Sequence, residues 1–130
     1  MIFSSPYITV LAALILTIIV EGAAILIIKR RKEYFGYSVL VNMITNPVIN
    51  VTIMMVDNIP AFWGSRFFTG YPIAPYVLVM EAAAVVVEAF CYRGMTGMAM
   101  KKALGLSLIL NLLSFAAGLA AEAIYWESIW

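Results

Sequence analysis

The stretch Ile18-Ile19-Val20-Glu21-Gly22-Ala23-Ala24-Ile25-Leu26-Ile27-Ile28 runs directly into Lys29-Arg30-Arg31-Lys32. An apolar run halted by four consecutive cations reads as the end of a membrane-crossing helix. Followed back to Tyr7, it covers residues 7–28, long enough to cross about 30 Å of hydrocarbon as an α-helix. Three further runs of comparable length follow at 37–56, 75–92 and 103–126. The second ends at Asp57-Asn58-Ile59-Pro60. The third opens on Pro75, where a missing N–H does least harm.

Composition agrees with this reading. The 130 residues are 65% hydrophobic and 12% charged, with mean hydropathy +1.01. A soluble chain is nearer half apolar and a quarter charged, and one this short needs its polar residues to cover its surface. The expected fold is an all-α integral membrane protein, a small bundle of four transmembrane helices in one domain spanning residues 1–130. The net charge of +1 gives no attraction to nucleic acid. With no His and a single Cys91, the usual zinc, haem, iron–sulfur and Cys–His sites are closed, and no cofactor is expected.

The basic residues orient the bundle. Lys29, Arg30, Arg31 and Lys32 follow the first span, and Arg93, Lys101 and Lys102 lie between the third and fourth; only Arg66 falls on the other side. That bias predicts both short loops in the cytoplasm and both termini outside. Trp63, Trp126 and Trp130 fall at the outer interface. The connection 57–74 is aromatic and broken by Gly and Pro through Ala61–Pro72. It is expected to lie along that interface, as a headgroup anchor or a lid. The first run ends in a stop-transfer cluster and lacks a basic leader and an A-x-A site, which argues against a cleaved signal. The sequon Asn50-Val51-Thr52 lies inside the second span, beyond a glycosylation enzyme's reach.

Polar residues fall in stripes at helical spacing. The second span carries Asn42, Asn46 and Asn50; the fourth carries Ser107, Asn111, Ser114, Gly118 and Glu122. The third places Glu81 and Glu88 on one face, and the first contributes Thr17 and Glu21. Lipid offers such groups nothing to bond, so the stripes predict a polar bundle interior. Ser107, Ser114, Thr17 and Gly118 read as ordinary helix packing, and Glu122 as solvated. Pro47 removes a backbone donor within the second span, predicting a kink there and a freed carbonyl at Met43.

Glu21, Glu81 and Glu88 share their runs with no Lys or Arg. A carboxylate at bilayer depth costs about 2.5–3.5 kcal/mol on insertion scales. These groups must therefore be protonated, reached by water, or neutralised by a cation from outside the chain.

The halves also resemble one another. Ile19-Val20-Glu21-Gly22 parallels Val86-Val87-Glu88-Ala89, and Asn42-Met43-Ile44-Thr45 parallels Asn111-Leu112-Leu113-Ser114. Both hairpins would run out, in and out again, giving a parallel repeat about an axis along the membrane normal. Glu21 with Asn42 and Glu88 with Asn111 would then lie symmetrically, either as a carboxyl pair sharing a proton or as an oxygen cage for a cation. Glu81 and Asn50 would lie nearer the outer face. A glutamate in the first helix of so small a chain invites comparison with small multidrug resistance transporters. The loop aromatics and the Asn/Pro series depart from their pattern, so nothing is carried over.

These residues predict a small cation- or proton-coupled transport protein with Glu21, Glu88, Glu81, Asn42, Asn46 and Asn111 as binding groups. The bilayer is its environment, a small cation or cationic solute its cargo, and a homo-oligomer or membrane partner completes it. The alternative is a non-catalytic membrane subunit or assembly factor whose polar stripes specify helix pairing. An intramembrane hydrolase comes third, since paired Glu and Asn without His make a weak water-activating set.

Overall fold

The computed structural model describes residues 6–57 and 75–127. Four α-helices account for nearly all of them: α1 (Pro6–Lys29), α2 (Lys32–Asp57), α3 (Pro75–Thr96) and α4 (Met100–Glu127). All four are long and apolar enough to cross a membrane. The aromatic segment 61–72 with Trp63 and Arg66, the side chain of Trp126, and Trp130 lie outside the described residues. The helices overrun the apolar runs, because a helix continues through its charged ends into the headgroup layer. α2 therefore begins at Lys32, and α4 at Met100. Pro47 sits inside α2, which continues as α-helix on both sides of it.

Short turns make α1–α2 and α3–α4 hairpins. Each first helix ends the same way, with its last carbonyl turn closed by a residue in the left-handed region. In the first hairpin this is Arg30, at φ 54°, whose N–H donates to the Leu26 carbonyl at 2.8 Å. In the second it is Gly97, at φ 69°, donating to the Arg93 carbonyl at 2.9 Å. Arg30 and Gly97 each lie nine residues after their helix's buried glutamate, so the sequence repeat is also a repeat of backbone conformation.

The helices form a square. α1 packs against α2 and α4, and α3 packs against the same two, while α1/α3 and α2/α4 lie on diagonals with no close backbone approach among the described residues. Close approach of α1 and α2 depends on Gly22, where a Cβ would come within 2.5 Å of the Phe35 ring. The apolar core gathers at the end of the bundle bearing the two short turns. It contains Ile25, Val41, Ala89, Tyr92, Ala103, Leu106 and Leu110, with Tyr34, Tyr37, Met95 and Met98 packed around it. Large apolar side chains face outward on every helix, among them Ile27, Ile44, Val79 and Ile124. Exposure on this scale suits lipid, because soluble monomers confine it to small patches.

Candidate functional site

Seven polar residues are buried among the described ones: Glu21, Ser38, Asn42, Thr45, Glu88, Ser107 and Asn111. They come from all four helices and belong to one layer of the bundle. Glu21 and Glu88 are 0% and 1% exposed, so neither reaches solvent or headgroups. The distribution follows the square: the acids stand on one diagonal, α1 and α3, and their donors on the other, α2 and α4.

Each glutamate is held by both hairpins. Asn42 Nδ2 donates to Glu21 Oε2 at 2.8 Å within the first hairpin. Ser114 Oγ donates to Glu21 Oε1 at 2.8 Å from the second. For Glu88 the pattern is reversed. Asn111 Nδ2 and Ser107 Oγ donate to its Oε2 from within the second hairpin, the serine at 3.1 Å. Thr45 Oγ1 donates to its Oε1 at 2.9 Å from the first hairpin. The asparagines are themselves fixed alike. Asn42 Nδ2 also donates to the Ser38 carbonyl at 3.0 Å, and Asn111 Nδ2 to the Ser107 carbonyl at 2.9 Å.

The element underneath is one motif used twice, Gly36-Tyr37-Ser38-x-x-x-Asn42-x-x-Thr45 and Gly105-Leu106-Ser107-x-x-x-Asn111-x-x-Ser114. Helical spacing places its Ser, Asn and hydroxyl on one face. The asparagine then serves the glutamate of its own hairpin, and the hydroxyl three residues later serves the other. Chemically, the layer offers two carboxyls and five donors, none of which is a cation. The one ion pair among the described residues, Arg31 with Glu33 at 3.2 Å, lies on the exposed turn.

No family model matches this chain, and no curated protein or solved structure matches it either.

The sequence-predicted residues thus divide. Glu21, Glu88, Asn42 and Asn111 meet in the layer. Asn46 stands one turn beyond it and donates through Nδ2 to Thr17 Oγ1 at 2.9 Å. Asn50 continues the line, donating to the Asn46 carbonyl at 2.9 Å and to its Oδ1 at 3.0 Å. Glu81 is half-buried on α3 and has no hydrogen bond into the layer; Glu88 is the acid whose charge bears on it. Glu122 is exposed on α4, away from the layer.

Sequence reasoning did not single out Ser38 and Thr45 as site residues; Ser107 and Ser114, read as helix packing, hydrogen-bond Glu88 and Glu21 on neighbouring helices. The signal that finds them is the alignment of the two motifs, in which hydroxyl positions coincide as well as asparagines.

Packing is uneven along the bundle. Every buried residue lies in the half next to the short turns. In the other half, through Val10–Val20, Asn46–Val56, Pro75–Ala83 and Leu112–Ile124, no described side chain is buried. The glutamate layer therefore has a closed apolar plug on one side. On the other stand the partly exposed polar groups Thr17, Asn46, Asn50 and Glu81.

Proposed function

We propose that this chain is a small proton- or cation-coupled membrane transport protein in which Glu21 and Glu88 are the loading groups. The observation that carries the reading is the character of their partners. Every donor to the two carboxyls is an Asn amide or a Ser/Thr hydroxyl, and each of these groups also accepts hydrogen bonds. An ionised carboxyl is served by the amide N–H and the hydroxyl O–H. A protonated carboxyl donates instead, to an amide oxygen brought round by a half-turn of the Asn side chain, or to a rotated hydroxyl. Both charge states are thereby satisfied in place. A Lys or Arg partner would hold the site ionised, and Gln in place of Glu would pack the helices without any proton.

The positive-inside bias places the short turns in the cytoplasm and both termini outside. Loading then proceeds from the outer, loosely packed half by way of Glu81, Asn50, Asn46 and Thr17. A cation takes the same route and displaces the amide donors from the carboxyl oxygens. Four helices leave little room for a complete pathway, so assembly as a homo-oligomer belongs to the proposal.

The test is flux in proteoliposomes under an imposed pH gradient. Wild-type protein is expected to pass protons, or a monovalent cation against protons, and the Glu21→Gln/Glu88→Gln variant to pass neither. Equal flux from both would end the reading.

A second reading has its own support. All four carboxyl oxygens already have protein donors, which is what a network specifying helix assembly requires. As a non-catalytic subunit, the chain would co-purify stoichiometrically with one larger membrane partner, and the same liposomes would show no flux.

A further inference from the structure

Tyr92 interrupts the symmetry of the two hairpins. Four residues after its glutamate, the first hairpin has Ile25, and four after Glu88 the second has Tyr92; both are 0% exposed in the apolar plug. The tyrosine, whose backbone lies about 6 Å beyond Glu88 towards the short turns, thus brings a hydroxyl into the plug. That hydroxyl has no hydrogen-bond partner among the described residues, the one buried side-chain polar atom of which this is true. An unpaired buried hydroxyl destabilises the fold relative to a phenylalanine in the same space.

Its surroundings give that position a direction. Ser38 of α2, Glu21 of α1 and, on its own helix, Glu88 and Cys91 are the groups whose charge or dipole acts on Tyr92, and its Oη makes no hydrogen bond among the described residues. α4 presents no titratable group to it. Ser38 is 0% exposed, and its Oγ accepts from Asn42 Nδ2 at 3.4 Å. Asn42 in turn binds Glu21. On the far side, Thr96 Oγ1 donates to the Tyr92 carbonyl at 2.6 Å, at the end of α3. Asn42, Ser38 and Tyr92 thus bring polar groups from the carboxyl layer into the apolar plug.

We infer that Tyr92 Oη and Ser38 Oγ form a water-binding step through the apolar plug, by which a proton leaves the carboxyl layer for the side of the short turns. The inference rests on the transport reading and extends it by assigning the exit. A protonated glutamate gives its proton to a water held between it and Tyr92 Oη. The phenol oxygen takes a proton from that water as it releases its own to a second water on the side of the short turns. Glutamate ends ionised, tyrosine ends neutral and unchanged, and one proton has crossed the plug. Ile25 offers no such step, so the exit belongs to the second hairpin alone.

The experiment compares wild type, Tyr92→Phe, Ser38→Ala and Glu21→Gln/Glu88→Gln in vesicles enclosing a pH-sensitive dye, after an external acid jump. The first two variants keep ring and backbone while deleting one oxygen each. The infrared carboxyl titration of each protein, recorded in detergent, reports whether the glutamate layer is intact. Tyr92→Phe is expected to slow proton passage on the order of 100-fold with the carboxyl titration as in wild type, and Ser38→Ala, whose Oγ also accepts from Asn42, to slow it in the same sense. Wild-type rates in Tyr92→Phe, while the double glutamine variant is silent, would overturn the exit and leave the transport reading standing. Wild type no faster than the double glutamine variant would overturn both.

Discussion

Glu88 accepts three hydrogen bonds and Glu21 two, and the donors differ in what their loss should do. Asn42→Ala leaves Glu21 Oε2 without a donor, whereas Asn111→Ala leaves Glu88 Oε2 with Ser107 Oγ alone. Each should cost about 1–3 kcal/mol, the first the more because Ser107 still serves Glu88. SDS-driven unfolding from micelles, followed by circular dichroism, checks this, and a cost at one site only would contradict the repeat. Thr45→Val and Ser114→Ala remove bonds that cross between hairpins. Each is expected to cost about 1 kcal/mol while leaving each hairpin's own Glu–Asn bond in place. Glu21 and Glu88 were legible in the sequence because an acid in an apolar run without a cation demands a partner or a proton, and Asn42 and Asn111 because they recur at matching places in the two halves. Ser38 and Thr45 were not, because a hydroxyl in a membrane helix ordinarily bonds the carbonyl a turn earlier. Thr45 does bond the Val41 carbonyl, at 3.1 Å, as well as Glu88.

The hairpin turns are the elements that the sequence described least well. Both close on a left-handed residue, yet only one of these is glycine. Arg30 adopts that conformation at a cost of about 1–2 kcal/mol relative to glycine, and keeps it within the basic cluster 29–32. Arg30→Gly should therefore raise stability by about 1 kcal/mol in the same unfolding assay, with Gly97→Ala falling by a comparable amount. Unchanged stability in both would mean that these turns do not hold the conformation described. Span positions were readable from hydropathy alone. Helix ends were not, since Lys32 and Glu33 of α2 and Lys101 and Lys102 of α4 are helical for reasons of continuity and not of burial.

At the scale of the whole molecule, the arrangement of acids on one diagonal and donors on the other lies beyond sequence. Stripes show that each helix has an inward face, but not which helices are opposite. The unequal packing of the two halves was likewise hidden, since hydropathy is high along all four spans. Because each glutamate is bound by both hairpins, two separately expressed pieces, 1–60 and 70–130, should associate in one membrane and be recovered together in mild detergent. Their recovery should fall when Thr45→Val and Ser114→Ala are combined. Pieces that fail to associate would contradict a layer shared between hairpins.

The central claim is that Glu21 and Glu88 exchange protons while enclosed in the membrane, and infrared difference spectroscopy on membranes brought between acid and neutral pH measures it most directly. A buried carboxylic acid band should vanish as the carboxylate band grows, and both changes should be missing from the Glu21→Gln/Glu88→Gln variant. A spectrum indistinguishable between wild type and that variant would contradict the account.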